Sequence, residues 1–337
     1  SRDFGKPMCN LDGKSVLVTG GTGSFGQAFV RYALDHLDPK RIAVLSRDEL
    51  KQYEMKALFE SDRRLRWFLG DIRDRERLNR AMKGIDYVVH AAALKQVDTA
   101  EYNPFEVVKT NIIGGQNVID AALSMQVKKV IALSTDKAAA PVNLYGATKL
   151  TSDKLFISAN NFRGKNDIRF SVVRYGNVMG SRGSVLPLFL KQKSSGVLTI
   201  TDKSMTRFNI NLDNGVNYVI ECLIKMIGGE LFVPKLYSFK IMDLAKAILS
   251  NCKIKFIGTR PGEKIHEELI TENDSKNTLE FSKEFIILPN FEFYDEKATK
   301  TIYAKYYKTG KKCKPGFNYN SRDNKKFLNI SNLKNII

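Results

Sequence analysis

The eight residues T-G-G-T-G-S-F-G at positions 19–26 determine the architecture of this chain. They follow a short apolar run at 15–19 and lead directly into a helix-periodic segment at 25–36. Glycines permit a tight turn and let a pyrophosphate approach the N–H groups at a helix N-terminus, where the helix dipole favours an anion. A strand, a G-x-x-G-x-x-G turn and a helix in first position therefore predict dinucleotide binding rather than a merely structural loop.

The alternation of strand and helix continues through the first half of the chain. Apolar runs predict strands at 15–19, 41–46, 65–69, 86–90, 129–134 and 169–174, and periodic polar stretches predict helices at 25–36, 50–59, 75–82, 105–123 and 144–160. This alternation is typical of a parallel sheet with crossover helices. The expected fold class is therefore α/β, a Rossmann doubly wound parallel sheet with a smaller α/β C-terminal substrate lobe.

The predicted domain boundaries follow changes in the pattern. Gly176, Gly180 and Gly183 arrive together and are followed by Pro187, so the first domain spans 11–179. Residues 180–320 form mainly the substrate-binding lobe, with some segments returning to the first domain, and 321–337 form a basic C-terminal tail. Because Met8 follows closely on Ser1, residues 1–10 are expected to be an expression remnant and N-terminal extension.

Composition narrows the classes of function. Of the 337 residues, 43% are hydrophobic, which is enough for a core and excludes disorder as the main state. No apolar run reaches the roughly 18 residues of a spanning helix, so a cytoplasmic protein without a membrane segment is expected. The 4 cysteines and 3 histidines show no ligand spacing, which indicates neither disulfides nor a metal site. The net charge of +18 favours an anionic partner, such as a nucleotide or nucleic acid.

The end of the second predicted strand bears on the choice of cofactor. An acidic residue alone would hydrogen-bond the ribose hydroxyls of NAD, but the sequence there is Ser46-Arg47-Asp48. Arg47, with Lys51 nearby, offers cations to a 2′-phosphate and favours NADP, while Asp48 keeps NAD open. After the third strand, Asp71-Ile72 is placed either to meet the adenine ring or to act as an ordinary helix cap.

A second motif indicates proton chemistry. Tyr145 and Lys149 are four residues apart, so on a helix they share a face. A nearby cation stabilises a phenolate, and Lys149 is therefore expected to lower the pKa of Tyr145 and let it take a proton from an alcohol. Thr135, at the end of the fifth strand, supplies a hydroxyl that can orient that alcohol.

In order and spacing, these motifs resemble those of the extended short-chain dehydrogenase/reductase family. The matching segments are T-G-G-T-G-S-F-G at 19–26, H-A-A-A at 90–93, Thr135, and Tyr145 with Lys149. The resemblance implies that Thr135, Tyr145 and Lys149 pass a proton and a hydride between a sugar hydroxyl and a nicotinamide. It also implies cofactor contacts at Gly20, Thr22, Gly23, Ser24, Phe25, Gly26, Ser46, Arg47, Asp48, Lys51, Asp71, Ile72, Ala91, Ala92 and Lys95.

Within that family the pattern is most similar to the nucleotide-sugar 4,6-dehydratases that act on UDP-N-acetylglucosamine. The diagnostic pair is Asp136-Lys137, where relatives acting on dTDP-glucose carry Asp-Glu. Tyr145 is typical of the configuration-inverting members, which begin pseudaminic acid synthesis, because retaining members carry methionine there. Further similar segments are S-R-D-E-L-K-Q at 46–52, H-A-A-A-L-K-Q at 90–96, N-L-Y-G-A-T-K-L at 143–150, R-Y-G-N-V at 174–178, S-R-G-S-V at 181–185, M-T-R-F at 205–208 and R-P-G-E-K at 260–264.

The resemblance and the chemistry together suggest roles. Oxidation at carbon 4 makes the carbon 5 proton acidic; Lys137, if its pKa is depressed, would remove that proton, and Asp136 would protonate the departing carbon 6 hydroxyl. NADP would be held tightly and regenerated in each turnover. The expected substrate contacts are Lys95, Asn177, Arg182, Val185, Thr201, Arg207, Arg260 and Glu263.

Several alternatives remain. Arg207 and Arg260 are natural partners of a UDP diphosphate, or else structural ion pairs; Glu263 is a ribose ligand or a solvated carboxylate. The function alternatives are a retaining or capsule-pathway dehydratase, a nucleotide-sugar epimerase, and a nucleic-acid-binding protein on this scaffold. Asp136-Lys137 argues against the last two, so no nucleic-acid or membrane partner is expected. Related dehydratases imply a homo-oligomer, a dimer or a hexamer.

Overall fold

The computed structural model of the protein describes residues 11–59, 62–181, 184–289 and 300–337. The strands are β1 (Ser15–Thr19), β2 (Arg41–Ser46), β3 (Leu65–Leu69), β4 (Tyr87–His90), β5 (Lys129–Thr135), β6 (Arg169–Tyr175), β7 (Val197–Ile200), β8 (Thr206–Asn209), β9 (Leu231–Pro234), β10 (Tyr237–Lys240), β11 (Lys253–Phe256), β12 (Glu268–Ile270), β13 (Thr278–Glu280), β14 (Glu284–Ile287), β15 (Lys311–Lys312) and β16 (Tyr319–Asn320).

The helices cover both faces of the main sheet and build the second lobe. They are α1 (Ser24–His36), α2 (Glu49–Leu58), α3 (Arg75–Met82), α4 (Val97–Tyr102), α5 (Pro104–Val108), α6 (Gly114–Ser124), α7 (Leu144–Ser158), α8 (Val185–Gln192), α9 (Leu212–Lys225), α10 (Ile241–Ile248), α11 (Ala304–Thr309) and α12 (Ile330–Ile336).

The main sheet places β1 between β2 and β4. Its order is β15-β13-β14-β9-β6-β5-β4-β1-β2-β3, and the strands from β3 to β9 run parallel. β1 is buried along its whole length, because helices cover both faces of a parallel sheet. The chain order reverses at β1, so a crevice opens between the carboxyl ends of β1 and β4. The predicted Rossmann doubly wound fold is confirmed.

Segments from the second half of the chain divide between the main sheet and a separate lobe. β9, β13, β14 and β15 extend the main sheet, whereas β7 pairs with β11, β8 with β10 and β12 with β16. The lobe has its own apolar cluster, which includes Phe189, Leu244 and Leu333. Leu333 belongs to α12, so the segment predicted as a tail packs against the lobe.

One predicted helix is divided in the structure. Instead of a single helix over 105–123, α5 leads through a π-helical segment, Lys109–Ile113, into α6. The unpredicted helix α4 precedes it, and Pro104 occupies the first turn of α5, where its missing N–H costs no hydrogen bond. A π-helical segment inserts an extra residue and turns side chains toward a new direction.

The described residues contain neither a membrane-spanning helix nor a metal-binding cluster. In the part of the chain that the structure describes, no helix has both the length and the apolar character needed to cross a bilayer. Over the same residues, no three His, Cys, Asp or Glu side chains converge as a metal site would require.

Candidate active site

A cleft of about 1380 Å³ lies at the carboxyl edge of the parallel strands and extends to the second lobe. Among the described residues, the predicted site residues that line it are Gly20, Thr22, Gly23, Ser24, Phe25, Ser46, Arg47, Asp48, Lys51, Asp71, Ile72, Ala91, Ala92, Lys95, Thr135, Lys137, Tyr145, Lys149, Asn177, Val185, Thr201, Arg207, Arg260 and Glu263. Gly26 and Asp136 are buried and are not among the lining residues. Arg182 lies outside the described residues.

The glycine turn forms one end of the cleft. Gly20 has a φ of 62°, and a Cβ there would lie 2.8 Å from the Cα of Ala92 in the loop after β4. The hydroxyls of Thr22 and Ser46 are 2.8 Å apart and join this turn to the end of β2. Glycine at position 20 therefore lets the loop after β4 pack closely against the turn. Gly23 and Ser24 are exposed at the N-terminus of α1 and line the cleft, where a helix N-terminus fits the phosphates of a dinucleotide.

The end of β2 separates the roles of its two charged residues. The Asp48 carboxylate accepts a hydrogen bond from the Lys51 N–H at 3.0 Å and caps α2. Arg47 is exposed and lines the cleft. Asp71 makes a similar local bond, in which Oδ1 accepts from the Arg73 N–H at 2.9 Å, so it caps a turn while lining the cleft.

Helix α7 carries the tyrosine and the lysine into the cleft. Its N-cap is Asn143, whose Oδ1 accepts a hydrogen bond from the Gly146 N–H at 2.8 Å. Lys149 is buried and donates to the carbonyl oxygen of Leu133 at 2.9 Å. Burial lowers the pKa of Lys149, partly opposed by Asp153.

The pKa of Tyr145 moves in the opposite direction from the expected one. Burial raises it to about 12, and the cation that opposes this increase is Lys137 rather than Lys149. A hydrogen bond with Thr135 also favours the phenolate. The expectation that the four-residue spacing alone would lower this pKa was therefore wrong, because it ignored the desolvation of a phenol that is only 7% exposed.

Lys137 is surrounded by acceptors. Its Nζ lies 2.9 Å from Asp136 Oδ1, 3.1 Å from Glu267 Oε1 and 3.4 Å from Asn177 Oδ1. Burial lowers the pKa of Lys137, but the two carboxylates raise it by more, so it lies above the ordinary lysine value. The pKa of Lys137 is therefore not depressed, contrary to the expectation from the sequence, because two buried carboxylates face this ammonium.

The two carboxylates differ from one another. The pKa of Asp136 is raised, first by burial and then by the charge of Glu267. Burial also acts on Glu267, but the charges of Lys137, Arg207 and Lys264 lower its pKa below the usual value. Asp136 is therefore the carboxyl better able to hold a proton, and Glu267 is the one that stays ionised.

Of the residues predicted to bind the diphosphate and the ribose, Arg207 and Glu263 lie close to one another in the structure. Arg207 donates to the carbonyl oxygens of Thr206, Ile265 and Lys264 at 2.7, 3.0 and 2.9 Å, respectively. Its ion pairs with Glu267 at 3.7 Å and Glu263 at 4.0 Å agree with the alternative prediction that Arg207 forms structural ion pairs. Glu263 accepts from the Thr201 hydroxyl at 3.3 Å. Arg260 is exposed at the rim of the cleft, with its side chain available to an anion.

Two residues of the site were missed from the sequence. Glu267 lies far from Lys137 along the chain, and the only signal was its position after the R-P-G-E-K segment. Asn111, in the π-helical segment, accepts from the Leu94 N–H at 2.9 Å and donates to the Leu94 carbonyl and the Thr148 hydroxyl, each at 3.1 Å. It thereby ties the loop that bears Lys95 to α7.

Comparison with known proteins places this geometry among sugar-nucleotide enzymes. A family model described as polysaccharide biosynthesis protein matches residues 16–289. A Campylobacter jejuni protein named UDP-N-acetylglucosamine 4,6-dehydratase (inverting) is 52% identical over 97% of this chain and 98% of its own length. A Rickettsia canadensis protein named UDP-glucose 4-epimerase is 40% identical over 96% of this chain and 95% of its own length. The solved structure of Pen from Bacillus thuringiensis has a TM-score of 0.85 at 40% identity and covers 97% of this chain and 98% of that one.

Proposed function

The chain belongs to the polysaccharide biosynthesis protein family, within the extended short-chain dehydrogenase/reductases, and we propose that it is a configuration-inverting UDP-N-acetylglucosamine 4,6-dehydratase. The observation that carries this proposal is the Lys137 ammonium beside Asp136, at 2.9 Å, in the same cleft as Tyr145. The proposed product is UDP-2-acetamido-2,6-dideoxy-β-L-arabino-hex-4-ulose. The similarity to the Campylobacter jejuni enzyme over nearly the whole chain supports this assignment.

The residues divide the reaction into three proton transfers. The phenolate form of Tyr145, which the Lys137 charge and a hydrogen bond with Thr135 favour, takes the proton of the carbon 4 hydroxyl. Thr135 orients that hydroxyl, and Lys149 holds the active-site end of α7 against Leu133. Once carbon 4 is a ketone, the proton on carbon 5 is acidic enough for an amine to remove. Lys137 takes that proton and Asp136 protonates the departing carbon 6 hydroxyl, so the enzyme is a lyase that releases water.

The cofactor proposed for the cleft is NADP. When bound, its nicotinamide supplies the acceptor for oxidation at carbon 4 and the donor for reduction at carbon 6, so no external reductant is consumed. The glycine turn accommodates the diphosphate. Arg47 is exposed in the cleft and is available to a 2′-phosphate, whereas Asp48 is engaged in capping α2. An acidic residue committed to a helix cap is less free to bind ribose hydroxyls, which favours NADP over NAD.

At the other end of the cleft, the proposed UDP contacts are Lys95, Asn177, Val185, Thr201, Arg260 and Glu263, with Arg182 added from the sequence alone. Arg207 contributes to this end by holding the backbone of the R-P-G-E-K segment. The homo-oligomer, the pseudaminic acid pathway and the cytoplasmic location stay predictions of the sequence resemblance.

A nucleotide-sugar epimerase is the second candidate, because the Rickettsia canadensis relative carries that name. An epimerase oxidises and reduces carbon 4 and has no use for an acid and a base directed at carbons 5 and 6. The test is to incubate the protein with UDP-N-acetylglucosamine and NADP in deuterated water and follow the sugar by proton NMR. A 4-keto-6-deoxy sugar with deuterium at carbon 5 and the L-arabino configuration supports the proposal; a 4-epimer without deuterium at carbon 5 contradicts it.

A further inference from the structure

Glu267 reaches the acid–base pair from the second lobe. It lies immediately before β12 and is 3% exposed. Its N–H donates to the Ser321 hydroxyl at 2.9 Å, and its carbonyl oxygen accepts from the Ser321 N–H at 2.8 Å. The backbone of Glu267 is therefore held on both sides by a fully buried residue of the C-terminal segment.

The Glu267 side chain is fixed by two cations. Oε1 lies 3.1 Å from Lys137 Nζ and 3.7 Å from Arg207 Nε. Arg207 is itself held by three backbone carbonyls, so it cannot move away without losing those bonds. Oε2 is buried and accepts no hydrogen bond from any residue that the structure describes. A buried carboxylate oxygen without a hydrogen bond reduces the stability of the fold. Its presence here suggests that the Glu267 charge beside Lys137 has a function.

The charges around the two carboxyl groups are unequal. Glu267 faces Lys137, Arg207 and Lys264, whereas Asp136 faces Lys137 and the negative charge of Glu267, with Arg207 contributing less. Environments that separate the proton affinities of two neighbouring carboxyl groups assign one as the acid and leave the other as a fixed charge. Here the asymmetry comes from the second lobe, which supplies Glu267, Arg207 and Lys264.

We propose that Glu267 is a positioning residue for the acid–base pair: it holds the Lys137 ammonium between two carboxylates and stays ionised, so that the proton released by Lys137 passes to Asp136. This inference rests on the proposed dehydratase function. Without the Glu267 charge, the proton affinities of Asp136 and Lys137 would both fall, and Asp136 would hold the proton received from Lys137 less well.

The proton balance closes within this cluster. An N–H bond of Lys137 breaks and an O–H bond of Asp136 forms, which leaves a neutral amine and a neutral carboxyl. The amine then takes the carbon 5 proton, the C–H electron pair becomes the carbon 5–carbon 6 double bond, and the carbon 6–oxygen bond breaks. The Asp136 proton passes to that oxygen and water leaves. Lys137 ends as an ammonium and Asp136 as a carboxylate, as they began.

The experiment compares Glu267→Gln with Glu268→Gln in the cofactor-loaded enzyme. Glu268 is the adjacent carboxylate, bonded by Asn318 Nδ2 at 2.8 Å, and is not among the residues that line the cleft. We measure kcat and KM from pH 5.5 to 9.5, and the isotope effect on kcat with substrate deuterated at carbon 5. For Glu267→Gln we expect kcat to fall at least roughly 10-fold with little change in KM, because acid–base assistance is what is lost.

Two readouts separate this role from a structural one. The alkaline limb of the kcat profile should move to lower pH in Glu267→Gln, because the charge that raises the pKa values of Asp136 and Lys137 is gone. The isotope effect from carbon 5 should increase, since proton removal becomes slower. Glu267→Asp keeps the negative charge, so the alkaline limb of its kcat profile should lie at the same pH as in the wild type, even if the variant protein is less stable.

The outcomes are distinguishable. A Glu267→Gln enzyme with the kcat, pH profile and isotope effect of Glu268→Gln would overturn the inference, and so would a Glu267→Asp limb displaced as far as that of Glu267→Gln. If the wild-type protein forms no 4-keto-6-deoxy sugar, the proposed function fails, whatever the variants do. That result is obtained from the wild-type protein before any variant is tested.

Discussion

Asn143 Nδ2 donates a hydrogen bond to the carbonyl oxygen of Gly262 at 2.9 Å, which joins the N-terminus of α7, the helix that carries Tyr145 and Lys149, to the R-P-G-E-K segment. The same side chain caps α7 through its Oδ1. Lys264 makes a second link, in which Nζ donates to the carbonyl oxygen of Ala139 at 2.6 Å. The two halves of the cleft are therefore connected directly beside Lys137.

Asn143→Ala should remove both the cap of α7 and the hydrogen bond to Gly262. Loss of the cap costs about 1 kcal/mol of helix stability, and the lost bond to Gly262 frees the segment that carries Glu263. We expect a lower melting temperature and a higher KM for the UDP-sugar. Asn143→Asp keeps a capping oxygen but cannot donate to Gly262. Its melting temperature should therefore be close to that of the wild type, while its KM should stay as high as that of Asn143→Ala. Equal KM values for Asn143→Asp and wild type would contradict this account.

Lys137→Met and Tyr145→Phe should block different steps. Without Lys137, oxidation at carbon 4 remains possible, but deuterium from the solvent should not enter carbon 5. Without the Tyr145 hydroxyl, oxidation itself should slow by roughly 100-fold or more, because the general base is missing. Rapid mixing with UDP-N-acetylglucosamine, followed by nicotinamide absorbance and by NMR of carbon 5, measures the two steps separately. Full turnover by Lys137→Met would show that another group is the base.

Arg47→Ala should change the cofactor preference. A charge-assisted hydrogen bond to a 2′-phosphate is worth roughly 1.5–3 kcal/mol, so the Kd for NADP should rise by about 10- to 100-fold and the Kd for NAD should change little. Lys56→Ala, on the same helix region but exposed and not among the cleft-lining residues, is the matched control. Binding is measured by titration of cofactor-stripped protein; an equal loss of NAD and NADP affinity would argue against a 2′-phosphate contact.

His90 should make the fold sensitive to mild acid. It is buried, its Nδ1 lies 2.7 Å from the Thr19 hydroxyl, and burial lowers its pKa to about 3. The unfolded chain takes up a proton near pH 6.5, so the stability that neutral His90 provides is present above that pH and declines as pH falls toward 3.

Between pH 7.5 and pH 5 this one group should reduce the free energy of unfolding by roughly 2 kcal/mol. His90→Asn should remove that part of the pH dependence, whereas His36→Asn, at an exposed position, should not. Urea unfolding at the two pH values measures both. If wild type and His90→Asn lose the same stability, His90 is not the group responsible.

The sequence was sufficient to predict the elements that depend on local patterns. Residues 15–36 predict β1, the glycine turn and α1. The alternation of strands and helices along the chain predicts that β1 belongs to a parallel sheet. Tyr145 and Lys149 were found because a helix brings residues four apart to one face. The glycine turn and the helix that carries Tyr145 and Lys149 were therefore predictable from local sequence alone.

Features that depend on distant contacts were not predictable in this way. Glu267 meets Lys137 only because the second lobe folds back over the end of β5, and no local spacing encodes that contact. The proton affinities of Tyr145 and Lys137 depend on burial and on charges from other elements, so an argument from neighbouring residues gave the wrong direction for both. The π-helical segment around Asn111 likewise depends on contacts with Leu94 and Thr148.

The backbone bonds between Glu267 and Ser321 also set an order of events during synthesis of the chain. The strands that surround the glycine turn and helix α9, which packs against α1, are complete once Lys225 has left the ribosome, whereas Ser321 emerges much later. A growing chain can therefore acquire its nucleotide cradle before Glu267 is anchored beside Lys137. We therefore expect a chain arrested before Ser321 to bind a dinucleotide but not to eliminate water from the UDP-sugar.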